Sequence, residues 1–238
     1  MKGIILAGGS GSRLYPLTKV TNKCLLPVGN QPMIVHPLKT LLSAGITEIM
    51  VITGIDHAGH MIATLGSGSE YNCEITYKVQ DTANGIAAAL KLCEDFVNND
   101  TCAVILGDTI IEDDLSNLIK DFSGYGCKLF LKEIDDPERF GVATIKNGVI
   151  VKLVEKPKNP ETNLAVIGLY LYDNKVFKVI DRLKPSARGE LEITDVNDAY
   201  VYHDDVEYNI LKGLWLDAGV FKSYIKANNF VFEREFNE

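Results

Sequence analysis

The chain has 238 residues, 46% of them apolar, and 24 Lys and Arg against 32 Asp and Glu give a formal net charge of -8. Such a length carries one large domain, and the acidic balance excludes a general basic surface for nucleic acid. The apolar runs are strand-length, well short of the roughly 20 residues of a membrane span; with no basic, signal-like start, a cytoplasmic protein is expected and no membrane partner.

The five cysteines show no C-x-x-C pair and mostly have apolar neighbours, which argues against a disulfide framework or a zinc site. In a chain this acidic, any polyanionic ligand must meet positive charge that is concentrated locally.

The first strand, at about 3–7, runs into Leu6-Ala7-Gly8-Gly9-Ser10-Gly11-Ser12-Arg13-Leu14. A G-x-G-x-x-G fingerprint would begin at Gly9, but Leu14 stands where its third glycine belongs, and the P-loop ending Gly-Lys-Ser/Thr is absent. What remains is a strand delivering exposed backbone N–H groups able to surround phosphate oxygens, followed by Arg13, whose planar fork can clamp a phosphate. Lys23, in the irregular segment Asn22-Lys23-Cys24-Leu25-Leu26-Pro27-Val28, offers a second phosphate contact if the loop folds back beside Arg13.

Helices at about 32–44, 57–65, 85–97 and 112–122 alternate with strands at about 48–53, 74–79 and 102–107. This is the β-α-β-α rhythm of a mostly parallel sheet covered on both faces. Gly45 marks the end of one helix and Gly85 the start of another. His57 and His60 share a helix face but lack a third metal ligand.

Gly107-Asp108 closes the strand at 102–107, and the carboxyl end of a central parallel strand is where open α/β sheets bind ligands. A second strand-end acid is Asp217, in Trp215-Leu216-Asp217-Ala218-Gly219. Two such carboxylates can share one Mg²⁺ with ligand phosphates, although sequence does not show whether they meet. The pairs Asp113-Asp114, Asp135-Asp136 and Asp204-Asp205 read as solvated acids of turns and helix starts.

From about residue 127 strands crowd together, at 128–133, 141–145, 149–154 and 165–172, with Asn147-Gly148 as a two-residue hairpin signal. Glu155-Lys156-Pro157 follows a strand, with a carboxylate suited to sugar hydroxyls and an ammonium suited to a phosphate. Helices near 174–182 and 190–200, a strand near 206–211 and a helix near 219–233 complete the chain.

Taken in order, Leu6–Leu14, Asn22–Val28, Gln80 with Gly85, Leu106-Gly107-Asp108, Asp136-Pro137-Glu138-Arg139-Phe140-Gly141-Val142, Glu155-Lys156-Pro157, Arg188-Gly189-Glu190-Leu191-Glu192-Ile193-Thr194-Asp195 and Trp215–Gly219 span nearly the whole chain. Together they resemble the sugar nucleotidyltransferases, and most closely their thymidylyltransferase branch.

The resemblance implies a three-layer, Rossmann-like α/β fold with a mixed, mostly parallel sheet and a small β-rich sugar-binding lobe. It implies a single domain, with a nucleotide-binding half at 1–126 and a sugar-phosphate-binding half at 127–238. The implied reaction is thymidylyl transfer from dTTP to glucose 1-phosphate, with UTP or another sugar 1-phosphate as the alternative, assisted by Mg²⁺, in a homo-oligomer. A non-catalytic sugar-nucleotide sensor is the alternative from another class.

In that scheme Leu6, Gly8, Gly9 and Gly11 contact the nucleotide, and Gln80, helped by Gly8 and Gly85, reads the base edge. Arg13 and Lys23 neutralise the triphosphate, Asp108 and Asp217 hold the metal, and Lys156 orients the sugar phosphate. Glu155, with the backbone at Gly141 and Val166, receives sugar hydroxyls. Cys24, Ala88, Thr109 and Val220 depart from the usual family residues, and the C-terminal helical extension of longer members, with its feedback regulation, is not expected.

Overall fold

The structure, a computed structural model, describes residues 1–236. Strand β1 (Lys2–Ala7) is buried along nearly its full length, as a central strand covered on both faces must be. A short ribbon of β2 (Pro27–Val28) and β3 (Gln31–Pro32) precedes helix α1 (Val35–Ser43). Gly45 ends that helix with a left-handed φ of 80°, its N–H donating to the Leu42 carbonyl. There follow β4 (Glu48–Gly54), α2 (Ala58–Leu65), β5 (Glu74–Gln80), α3 (Ile86–Lys91), α4 (Glu94–Val97) and β6 (Cys102–Leu106). The helix expected over 85–97 is therefore interrupted, at Leu92 and Cys93.

These strands pair in parallel in the order β5-β4-β1-β6. The chain's progression across the sheet reverses between β1 and β6, and crevices at such switch points are where open α/β sheets hold ligands. Successive residues of β1 face opposite ways. Ile4 and Leu6 join one core with α3, and Ile5 and Ala7 join the other with α1 and α2.

The rest of the chain comprises β7 (Thr109–Ile111), α5 (Ser116–Lys120), β8 (Cys127–Glu133), β9 (Gly141–Lys146), β10 (Val149–Glu155) and β11 (Leu164–Tyr172), then α6 (Val176–Ile180), α7 (Ile193–Tyr202), β12 (Val206–Ile210), β13 (Trp215–Asp217) and α8 (Phe221–Phe236). Strand β11 runs antiparallel to β6 and carries β8, β9, β10 and β12 into the same nine-stranded mixed sheet. Asn147 and Gly148 both take positive φ at the β9–β10 turn, as the hairpin signal requires. Helices α6 and α7 lie over the core that α3 covers, and α5 lies with α1 and α2. The three-layer α/β architecture read from the sequence is the one found.

Two features position the site. Strand β11 bridges to β9 at Ala165 and pairs with β6 from Leu169 onward, so the sheet forks at residues 166–168. In addition, β7 and β13 form a separate antiparallel ribbon in which Thr109 faces Asp217 and Ile111 faces Trp215. Thr109-Ile110-Ile111 is β-branched throughout and suits a strand, and the helix expected over 112–122 is shortened to α5 because Glu112 continues the ribbon, its N–H donating to the Leu214 carbonyl at 2.9 Å.

Asp113 is not the solvated acid expected of it: both of its carboxylate oxygens accept from the Gly213 N–H, at 3.0 and 2.9 Å, and tie the ribbon's outer end. At the other end a third apolar cluster packs Leu14, Leu26 and Val28 against Ala227 and Val231 of α8. The loop after β1 is thus held down by the last helix.

Candidate active site

A cleft of about 540 Å³ opens at the fork of the sheet, beyond the carboxyl ends of β1 and β6. Every residue named from the sequence as a site candidate lines it except Gly11. Gly11 instead shapes the loop, with a left-handed φ of 65° and a carbonyl that accepts from the Thr18 hydroxyl at 2.9 Å. His57 and His60 stack on each other away from the cleft.

Lys23 reaches the cleft because Asn22 anchors its turn. The buried Asn22 side chain donates to the Ala7 carbonyl at 2.8 Å and accepts from the Cys24 N–H at 2.8 Å. The 3-10 turn Lys23–Leu25 is thereby capped and tied to the end of β1. Its ammonium forms an ion pair with Asp108 and lies beside Gly9, where an added Cβ would sit 3.7 Å from Nζ. Burial works against the Lys23 charge, but attraction to Asp108 outweighs it and holds the ammonium's pKa above its ordinary value.

Asp217 lies across from this pair. The β7–β13 ribbon, together with the Ala218 N–H donating to the Asp108 carbonyl at 2.9 Å, brings the two strand-end acids to one point. A Cβ built on Gly219 would lie 2.7 Å from Asp217 Oδ1, 2.9 Å from Asp108 Oδ2 and 3.4 Å from Arg13 Nη2. Burial and the neighbouring Asp108 charge push the Asp217 carboxyl above the ordinary range. Burial pushes Asp108 the same way, but Lys23 reverses this and holds it below that range.

Among the described residues no three His, Cys, Asp or Glu side chains converge into a metal cage of their own. The hollow over Gly219 is nevertheless faced by two carboxylates. One or two carboxylates, with the remaining positions left to water and substrate phosphates, is the donor set that Mg²⁺ takes. The residues fit that ion.

At one end of the cleft, Gln80 reaches the wall from the last residue of β5. Its Nε2 donates to Asn84 Oδ1 at 3.0 Å and, more weakly, to the Gly85 carbonyl at 3.5 Å. Gly8 makes the approach possible, since a Cβ there would lie 2.7 Å from Gln80 Oε1. Gly85 has φ 112°, and its absent Cβ would fall 2.3 Å from the Leu191 carbonyl oxygen, so this loop is packed tightly on the α7 side.

The far end is a charged cluster. Glu155, opposite Gly141 across the β9–β10 pair, accepts from the Thr194 hydroxyl at 2.6 Å and pairs with Lys156 at 3.1 Å and Arg188 at 3.3 Å. Arg188 also binds Glu192 at 2.7 Å and Glu190 at 3.4 Å. Lys156 holds a left-handed φ of 43°, a conformation that costs a non-glycine residue about 1 kcal/mol or more. This backbone sends its side chain out of the strand line while its N–H donates to the Phe140 carbonyl at 3.0 Å.

Sequence reasoning assigned no role to Arg139, Arg188 or Trp215, all of which line the cleft. Arg139 Nη1 pairs with Asp136 at 2.6 Å, and its guanidinium lies over the Phe140 ring, which meets Trp215 edge-on with centroids 5.0 Å apart. Among the described residues Arg139 Nη2 is buried without a hydrogen-bond partner and stands 3.6 Å from Asp217 Oδ2. Trp215 Nε1 is likewise unpartnered. Arg139 and Arg188 lie within the quoted motif segments, but nothing in their spacing separates them from surface arginines. Arg13, Lys23, Arg139, Lys156 and Arg188 thus line one cleft together with the carboxylates of Asp108, Asp217, Glu155, Glu190 and Glu192.

The family model for nucleotidyl transferases matches residues 2–234. A glucose-1-phosphate thymidylyltransferase of Neisseria meningitidis serogroup A is 43% identical, the match covering 97% of this chain and 82% of that protein. The low-salt glycan biosynthesis nucleotidyltransferase Agl11 of Haloferax volcanii is 40% identical over 98% of this chain and 66% of its own. Among solved structures, a Bacillus anthracis protein assigned as a glucose-1-phosphate thymidylyltransferase, in complex with a sucrose, superposes with a TM-score of 0.94 at 55% identity, covering 100% of this chain and 97% of that one. A UDP-glucose pyrophosphorylase complexed with UDP-glucose follows at a TM-score of 0.85 and 25% identity, covering 98% and 99%. No described helix is long and apolar enough to cross a membrane.

Proposed function

This chain belongs to the nucleotidyl transferase family, and from that premise we propose that it transfers a thymidylyl group from dTTP to α-D-glucose 1-phosphate, giving dTDP-glucose and pyrophosphate. The observation that carries the reading is the convergence of Asp108, Asp217, Lys23 and Arg13 around the hollow over Gly219. The relatives named thymidylyltransferases support the choice of nucleotide and sugar.

A phosphate oxygen of the sugar 1-phosphate is already an anionic nucleophile, so the site needs no general base. It attacks the α-phosphorus in line as the bond to the β-phosphate oxygen breaks, and pyrophosphate leaves with that electron pair. The protein's part is to align the two phosphates and to offset their charge.

Lys23 and Arg13 face the triphosphate and the departing pyrophosphate. Lys156, sent across by its left-handed backbone, and Arg188 orient the sugar phosphate. Glu155 and the free backbone edge at Val166 receive sugar hydroxyls. Asp108 and Asp217 would hold Mg²⁺, which supplies Lewis-acid stabilisation of phosphate oxygens when bound. Division into a nucleotide half at 1–126 and a sugar-phosphate half at 127–238 is part of the same proposal. A homo-oligomer is part of the same proposal, as is a cytoplasmic location.

Uridylyl transfer is the second reading, because Gln80 meets a base edge that thymine and uracil share and a UDP-glucose pyrophosphorylase has the same fold. The test is Mg²⁺-dependent pyrophosphate release measured for a matrix of nucleoside triphosphates against sugar 1-phosphates. Highest kcat/KM with dTTP and glucose 1-phosphate is expected; absence of release with every pair would leave a binding protein in place of an enzyme.

A further inference from the structure

The Gln80 side chain is an amide with two unlike ends, and which end meets the base decides which bases can bind. Thymine and uracil donate from N3–H, whereas cytosine accepts at N3 and donates from its exocyclic amino group. With Oε1 forward, Gln80 receives an N3–H; turned over, it offers an NH₂ group that suits cytosine. Burial of Gln80 within the end of the sheet makes a mismatched end costly.

Two acceptors hold the Nε2 end back. Asn84 Oδ1 lies 3.0 Å from it and the Gly85 carbonyl 3.5 Å, while no protein hydrogen bond reaches Oε1 among the described residues. The segment bearing both acceptors is clamped on each side by one residue: the Leu191 N–H donates to the Asn84 carbonyl at 2.9 Å, and the Leu191 carbonyl accepts from Ala87 N–H at 3.2 Å. Asn84 Oδ1 is therefore aimed from a backbone fixed on the α7 side, not from a free loop.

We infer that Asn84 is a positioning residue for base selection: by holding the Gln80 amide with Oε1 forward, it favours bases that donate at N3 over cytosine. The inference rests on the reading of Gln80 as the base reader. Asn84 is itself an amide, and turning both side chains together would keep their mutual hydrogen bond. The Gly85 carbonyl cannot turn, and it would then face Gln80 Oε1, acceptor against acceptor. Asn84 and Gly85 therefore act jointly, and an aspartate at 84, which has no donor end, would do the same work as asparagine.

The experiment is kcat/KM for dTTP and for dCTP in the wild-type protein and in Asn84→Asp, Asn84→Leu, Asn84→Lys and Gln80→Ala. Asn84→Asp should keep the dTTP preference, since its added charge acts on both triphosphates alike. Asn84→Leu should lower the dTTP-to-dCTP ratio about tenfold, the scale of one hydrogen bond, and a donor-only lysine should lower it further. A wild-type ratio in Asn84→Leu and Asn84→Lys, alongside a collapsed ratio in Gln80→Ala, would overturn the role of Asn84 alone. An unchanged ratio in Gln80→Ala would overturn the base-reading assignment beneath it. A merely structural role for Asn84 would lower both activities together and leave the ratio where it was, which also overturns the inference.

Discussion

A single methyl group at position 219 tests the active-site reading most directly. In Gly219→Ala the new Cβ would sit 2.7 Å from Asp217 Oδ1 and 2.9 Å from Asp108 Oδ2. Ordinary van der Waals separation for such atoms is roughly 3.5 Å, so each carboxylate oxygen must retreat by about half an ångström or more. Both belong to side chains that can turn, and Gly219 is not among the glycines of positive φ, so the fold has room to accept alanine.

Alanine at a compatible glycine site also restricts the unfolded chain, which contributes about 0.4–1 kcal/mol of stability. Two displaced charged groups in a preorganised site should instead cost about 10²-fold or more in kcat/KM, or about 2.7 kcal/mol of transition-state stabilisation. The expected outcome is a protein with an unchanged or slightly raised Tm and a rate of Mg²⁺-dependent pyrophosphate release lowered about a hundredfold. Near wild-type kcat/KM would refute the assignment of the hollow over Gly219 as the reaction centre.

Three further perturbations probe how the site is held. Asn22→Ala strips both hydrogen bonds that tie the Lys23 turn to β1; a loss of about 1–3 kcal/mol in urea unfolding is expected, with a fall in kcat, and stability within 0.5 kcal/mol of wild type would contradict it. Because Lys23 lowers the Asp108 pKa in the folded state, that carboxylate contributes stability above its unfolded pKa and loses it as pH falls through the lower native value. In Lys23→Met the buried Asp108 loses its partner and its pKa rises, so the variant should be weakest near neutral pH and close part of the gap to wild type on acidification toward pH 4. Parallel urea midpoints across that range would dispose of the pairing. Burial pushes the thiols of Cys24 and Cys93 up to about 12 and holds those of Cys102 and Cys127 well above the ordinary thiol range; Cys73 alone is partly exposed. An aromatic disulfide reagent at pH 7.5 should titrate no more than Cys73 in the native protein and all five thiols in denaturant.

The parts of the fold that were legible in the sequence are those whose signal is local. Continuous apolar runs gave away β1, β4 and β6 because parallel strands covered on both faces have no polar side. Asn147-Gly148 marked its hairpin because positive φ is needed at both positions. The β7–β13 ribbon left no such trace: three residues are too few to show a period, and its two strands lie more than a hundred residues apart in the chain. That ribbon is what brings Asp108 and Asp217 together, so each acid was readable as a strand-end carboxylate and their meeting was not.

The same division holds in the cleft. Arg13 and Lys23 stood out against a glycine-rich or irregular setting, whereas Arg139 acquires meaning only from Phe140, Trp215 and Asp217 around it. Asn84 is an ordinary turn residue until Gln80, four positions earlier, is seen to bend back onto it.

The ribbon also sets an order of events during synthesis. A chain made from its N-terminus acquires the glycine loop, Lys23, Gln80 and Asp108 well before Asp217 and the helix that clamps the loop. A nascent chain that stops short of β13 carries Arg13, Lys23 and Asp108 but not Asp217. In the proposed scheme, transfer therefore waits until β13 has paired with β7.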